Sequence, residues 1–235
     1  MTKRQNVLFM ILSFGIYAIY AYAMIPLYIS MCSNVIYADT RLPEVISTFN
    51  TVLELFVYWL STAFVIYSIF RFGFSQSIIY PVIYLCAAAF KYISVFLMTG
   101  VMSGEFEKSG IKSLIIYILL EILRMAITVG LSVYLARKYK YTDPREREPL
   151  FPFKKLVTLS NPVQATAFFS AFMISLARII SRIRYDIFYG APQSFAEAMV
   201  MIGYYLLDIA IGFIGYFAIV FIILTLEKHS QEEKE

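Results

Sequence analysis

The stretch VIYLCAAAFKYISVFLM, Val82 to Met98, decides how this chain must be read. It is apolar apart from Lys91, Ser94 and its tyrosines. Such a run belongs in a bilayer, where about 20 apolar residues span roughly 30 Å of hydrocarbon as a helix. The lysine in its middle raises the question of what holds a charge there.

Working outward, the same pattern recurs. Six runs meet the length criterion: 7–31, 46–70, 77–99, 111–136, 163–185 and 196–226. The expected fold class is therefore an all-α polytopic integral membrane helix bundle with six transmembrane helices, forming one transmembrane domain over 1–235. The first run follows Lys3 and Arg4. It exceeds the apolar core of about 7–15 residues in a signal peptide and has no clear small-x-small cleavage site after it, so it is read as a retained helix. Composition agrees with the lipid reading. The chain is 60% hydrophobic and 15% charged, with a mean hydropathy of +0.71. A soluble domain averages about 45–50% apolar and about 25% charged residues.

Loop charge sets the orientation. With the N-terminus inside, the inner segments carry Lys3, Arg4 and Arg71, then the cluster Arg137, Lys138, Lys140, Arg145, Arg147, Lys154 and Lys155, then Lys228 and Lys234. The outer loops carry only Arg41, Lys108, Lys112, Arg182 and Arg184. The excess inside predicts both termini in the cytoplasm and the plasma (cell) membrane as the location. The loop at 137–162 is basic and proline-punctuated. It reads first as a positive-inside anchor on anionic headgroups, worth about 1 kcal/mol per basic residue near the surface. It reads second as a dock for a protein subunit. On the outer side, Gly190-Ala191-Pro192 signals a turn, and Ser194 with Glu197 fits a capping box opening the last helix.

Six charges remain inside the spans: Glu54, Lys91, Glu121, Arg124, Arg178 and Asp208. Left unpaired they would cost roughly 15–20 kcal/mol together on insertion scales, so they are expected to face protein and one another. Counting along each run at 1.5 Å per residue puts all six roughly 10–20 Å below the outer surface. Lys91 then has Glu54, Glu121 and Asp208 at its own height. Residues three and four apart share a helix face. The stripes Asn50-Glu54-Tyr58-Ser61, Tyr117-Glu121-Arg124-Thr128-Ser132, Ser175-Arg178-Arg182 and Glu197-Tyr204-Asp208 each present one polar side. Gly212 and Gly215 continue the last stripe inward as helix-packing positions, since small residues let membrane helices approach closely. The first run contains no charge, which predicts a peripheral or partner-facing place.

The motifs that would name an enzyme do not occur in a fitting context: no GxSxG, HExxH, Walker A or GxGxxG. The lone His229 and the pair Cys32 and Cys86 provide neither a metal-ligand set nor a His-based triad. The two cysteines are expected as free thiols. No catalytic residue, metal or cofactor is assigned, and nucleic acid is not an expected partner, because topology accounts for the basic excess. A carboxylate enzyme using Glu54 or Asp208 as a base would require burial to raise its pKa, and no nucleophile accompanies either. Two function classes stand. In one, the chain is a small solute-binding or transport-type protein. Lys91, Arg124 and Arg178 face an anionic small molecule, balanced by Glu54, Glu121 and Asp208. In the other it is a non-enzymatic scaffold or assembly factor. Its buried charges are then structural ion pairs, and its partner docks on the 137–162 loop or the first helix.

Overall fold

A computed structural model describes residues 7–8, 10–12, 14–15, 42–103, 108–139, 161–189 and 194–232. Among these, all secondary structure is helical, with no strand. After the helical residues between 7 and 15 come α1 (Leu42–Phe72), α2 (Phe74–Ser77), α3 (Ile79–Ser103), α4 (Lys108–Lys138), α5 (Pro162–Tyr189) and α6 (Phe195–Glu232). Five segments are long and apolar enough to cross a membrane: Thr51–Phe72, Phe74–Leu97, Leu114–Lys138, Pro162–Ile180 and Phe195–Lys228. The chain is an all-α integral membrane protein. Hydrocarbon offers backbone groups no partner, so a spanning segment must satisfy its N–H and C=O groups internally, which the α-helix does. Most of the first predicted run, most of the 137–162 loop, Cys32 and the 190–192 turn lie outside the described residues.

Helix ends follow local chemistry. Asn161 Oδ1 accepts from the Val163 N–H at 2.9 Å, capping α5 one residue ahead of Pro162, where a missing N–H costs nothing. Ser194 Oγ accepts from the Glu197 N–H at 3.2 Å, the hydroxyl half of the expected capping box. Gly73 separates α1 from α2 at φ 80° and ψ 165°, a region glycine tolerates and side chains do not.

α1 is the axle of the bundle. It contacts α3, α4, α5 and α6, and every residue from Val57 to Phe70 is buried. Its serines turn back onto its own carbonyls: Ser61 Oγ donates to Tyr58 O at 2.8 Å and Ser68 Oγ to Val65 O at 3.1 Å. The outward faces of α4 and α6 are apolar and exposed, as at Leu119, Leu123, Leu206 and Phe221, the pattern of a lipid-facing surface. The Met10 and Phe14 side chains are buried against the core, while Leu8, Ile11 and Leu12 point outward. The first run, expected in a peripheral or partner-facing place, is thus exposed on one side where it is described. Its described part contributes an inner face, and Phe14 packs edge-on against Tyr84 at 5.9 Å.

Gly212 and Gly215 lie where α6 closes on its neighbours. A Cβ on Gly212 would come within 2.6 Å of Ser175 Oγ and 3.0 Å of the Phe172 ring, and a Cβ on Gly215 would fall onto the Trp59 indole. Both positions bring backbone against side chain, as small-residue packing in membranes requires.

Candidate functional site

The six intramembrane charges resolve into two clusters that border one cleft. In the first, Lys91 Nζ lies 2.8 Å from Glu54 Oε1 and 4.9 Å from the centre of the Tyr92 ring. The lysine side chain is 7% exposed, its partner 41%. Lys91 is held by a carboxylate from α1 and an aromatic face from its own helix, which spreads its charge without exposing it. Glu121, 5% exposed, is satisfied by three donors. Arg124 Nη1 donates at 2.9 Å, the Tyr84 hydroxyl at 2.6 Å to Oε2 and the Tyr92 hydroxyl at 3.2 Å to Oε1. The Tyr92 oxygen also lies 3.4 Å from Glu54 Oε1, so it bridges the two acids. Tyr92 is braced by Tyr117, stacked at 5.5 Å with planes 7° apart.

The second cluster joins α5 to α6. Asp208 is fully buried and accepts from Arg178 Nε at 2.7 Å and from Arg182 Nε at 3.1 Å. Arg182 also lies over the Tyr204 ring, 4.5 Å from its centre. One expectation changes here. Arg182 does not belong with the outer-loop charges, because it is the second cation on Asp208. The pairing left open by the sequence is also visible: Glu121 pairs along its own helix with Arg124, and Asp208 turns to α5. The i to i+4 spacing of Arg178 and Arg182 placed them on one face of α5 and was the available signal for the missed residue. The tyrosines Tyr84 and Tyr92 were missed entirely, since a tyrosine in an aromatic-rich span carries no mark of its hydroxyl's partner.

With Arg182 included, Lys91, Arg124, Arg178 and Arg182 oppose only Glu54, Glu121 and Asp208. The described layer carries one positive charge in excess. Inward from it, Thr128 Oγ1 donates to Ser170 Oγ at 3.2 Å, tying α4 to α5 by hydroxyls.

Two spaces adjoin this layer. The enclosed one, among Glu54, Tyr84, Lys91 and Glu121, is about 20 Å³, room for about one water. The other is an open cleft of about 760 Å³ between α4 and α5. Arg124, Arg178 and Arg182 line it together with Glu54, Tyr92 and Tyr117. Its volume falls in the range of small-molecule sites, about 300–1,000 Å³. The arginine side chains there are 24%, 34% and 28% exposed respectively. Among the described residues, no group of histidine, cysteine and acidic side chains gathers as a metal-ligand set, and Cys86 is an exposed free thiol. Comparison with protein-family models, curated proteins and solved structures returned no match to this chain.

Proposed function

We propose that this chain is a membrane-embedded binding protein of transport type whose ligand carries an anionic group. Arg124, Arg178 and Arg182 hold that group in the cleft between α4 and α5. The convergence of three half-buried guanidinium groups on one open cleft carries this reading. Arginine forks match carboxylate and phosphate oxygens, and ionisable groups inside a membrane default to a functional role. Lys91 contributes through Glu54, fixing an acid that lines the cleft. The cleft lies toward the outer face if both termini are cytoplasmic, as the loop charges indicate, in a plasma membrane. The basic loop at 137–162 then lies on the inner surface and docks a further subunit.

A second reading has its own support. Each of the three acids already has a basic partner, and the smaller space among them has a volume of only about 20 Å³. A scaffold or assembly factor with structural ion pairs would look the same in these two respects. Native mass spectrometry of the protein purified in mild detergent separates the two. The binding reading expects a small-molecule adduct that disappears in Arg178→Gln while the melting temperature stays measurable and cooperative. Bare protein, or protein carrying only a stoichiometric polypeptide partner, overturns it in favour of the scaffold.

A further inference from the structure

We infer that the ligand of the α4–α5 cleft is an anionic amphiphile that enters sideways from the lipid. Its oxyanion headgroup sits on the arginines and its hydrocarbon tail lies along the apolar lips. This rests on the anion-binding reading above and adds the ligand class and the route. Four observations carry it.

The cleft is walled by apolar side chains as well as cations. Leu120 and Ile180 line it and are 40% and 57% exposed. Ile116, Leu123, Leu176 and Ile183 beside them are exposed too. On a spanning helix such exposure means contact with hydrocarbon, so the opening faces acyl chains. A small hydrophilic anion would have to leave water to reach such an opening, whereas an amphiphile already keeps its tail in hydrocarbon and can lay it along these lips.

The depth suits a headgroup. Arg178 lies two residues before the end of the apolar segment Pro162–Ile180 and Arg182 two residues beyond it, while Glu54 lies three residues inside Thr51. At 1.5 Å per residue Glu54, Arg178 and Arg182 sit near the boundary between headgroups and hydrocarbon, shallower than the sequence count had put Glu54 and Arg178, while Arg124, ten residues inside Leu114, lies about 15 Å deeper at the inner end of the cleft.

The arginines have donors left. Each guanidinium has five N–H donors. Arg178 and Arg182 each give Nε to Asp208, and their Nη groups make no hydrogen bond to another described residue. Two planar forks with the excess charge of the layer can take a phosphate or carboxylate bidentately.

The smaller space is too tight for a ligand, because its volume of about 20 Å³ leaves room for about one water.

The test titrates the purified full chain, in one nonionic detergent, with dioleoyl phosphatidic acid, with glycerol 3-phosphate as the tail-less version of that headgroup, and with dioleoyl phosphatidylcholine as the control for unspecific lipid uptake. Binding is read by native mass spectrometry and intrinsic fluorescence. Phosphatidic acid should bind saturably and phosphatidylcholine should not. Glycerol 3-phosphate, which lacks the tail that concentrates phosphatidic acid in the micelle beside the cleft, should bind at least about 100-fold more weakly. Ala177→Phe fills the cleft without touching an ion pair and should weaken phosphatidic acid at least about tenfold at an unchanged melting temperature. If that variant does not fold, Arg178→Lys keeps the charge but loses the fork and should weaken the same probe. Equal, arginine-dependent affinities for phosphatidic acid and glycerol 3-phosphate overturn the amphiphile and leave the anion-binding reading standing. Phosphatidic acid binding that neither folded variant changes overturns the cleft as the lipid's site. If no anionic probe binds above phosphatidylcholine, both readings fall.

Discussion

Replacing Asp208 with asparagine should damage the bundle more than any other single neutralisation in it. The carboxylate is fully buried and serves two cations, Arg178 at 2.7 Å and Arg182 at 3.1 Å. Removing one partner of a buried pair costs about 3–5 kcal/mol, because the other charge stays behind. Here two charges stay behind. Their side chains are 34% and 28% exposed, so headgroups and water at the cleft mouth screen them, and long basic side chains can turn toward the interface. The low end, about 3 kcal/mol, is therefore expected. Unfolding by sodium dodecyl sulfate in mixed micelles, followed by far-ultraviolet circular dichroism, measures it. Adding Arg178→Gln and Arg182→Gln to Asp208→Asn should recover most of the loss, giving a coupling of about 2 kcal/mol in the resulting cycle. An Asp208→Asn protein within about 0.5 kcal/mol of the parent, or a triple variant no better than the single, would show that the α5–α6 cluster is not the buried pair described.

The remaining predictions concern other parts of the same layer and its supports. Glu54→Gln should cost more than Lys91→Met, by about 1–2 kcal/mol in the same assay. The first leaves a 7% exposed ammonium without its carboxylate, and the second leaves a 41% exposed carboxylate that can turn into the cleft; equal costs would contradict this burial. Tyr84→Phe removes a 2.6 Å donor from buried Glu121 and should cost about 1.5–3 kcal/mol, the range for hydrogen bonds to charged groups. Gly215→Ala should destabilise by about 1–3 kcal/mol, because its methyl meets the Trp59 indole. Gly130→Ala meets nothing within 4 Å and should be neutral or stabilising by up to about 1 kcal/mol. The same sign for both would refute the close approach of α6 to α1.

The helices were legible because a bilayer leaves few choices. Runs at 46–70, 77–99, 111–136, 163–185 and 196–226 fall within α1, α3, α4, α5 and α6, save for two residues at the start of the second run. Length and hydropathy report on the one solvent these segments share. The polar stripes were legible in part: Tyr58, Ser61, Glu121, Thr128, Ser132, Ser175 and Asp208 are buried as helical spacing predicts, whereas Tyr117, Glu197 and Tyr204 on the same stripes are exposed. The sequence also put Gly212 and Gly215 on the inward-running face of α6, where each meets a neighbouring helix's side chain.

Partnership was not legible. Height along a helix does not say which helices adjoin, so Lys91 had three acids open to it until α1 and α3 were placed side by side. Arg182 was counted with the outer-loop charges although it stands near the end of the run 163–185 and on the stripe of Ser175 and Arg178; only the position of Asp208 on the neighbouring helix drew it into the bundle. The hydroxyls of Tyr84 and Tyr92 acquired a role only when α3 met α4 at Glu121. Whether the charges enclosed a solute cavity or flanked an open cleft also depended on how closely five helices pack, a matter of distances between elements. Sequence by itself therefore determined the solvent, the helices and the inward faces, which are set by local periodicity against lipid. Tertiary structure alone decided which charges pair, and that the cleft they border lies between α4 and α5, because both depend on which helices adjoin.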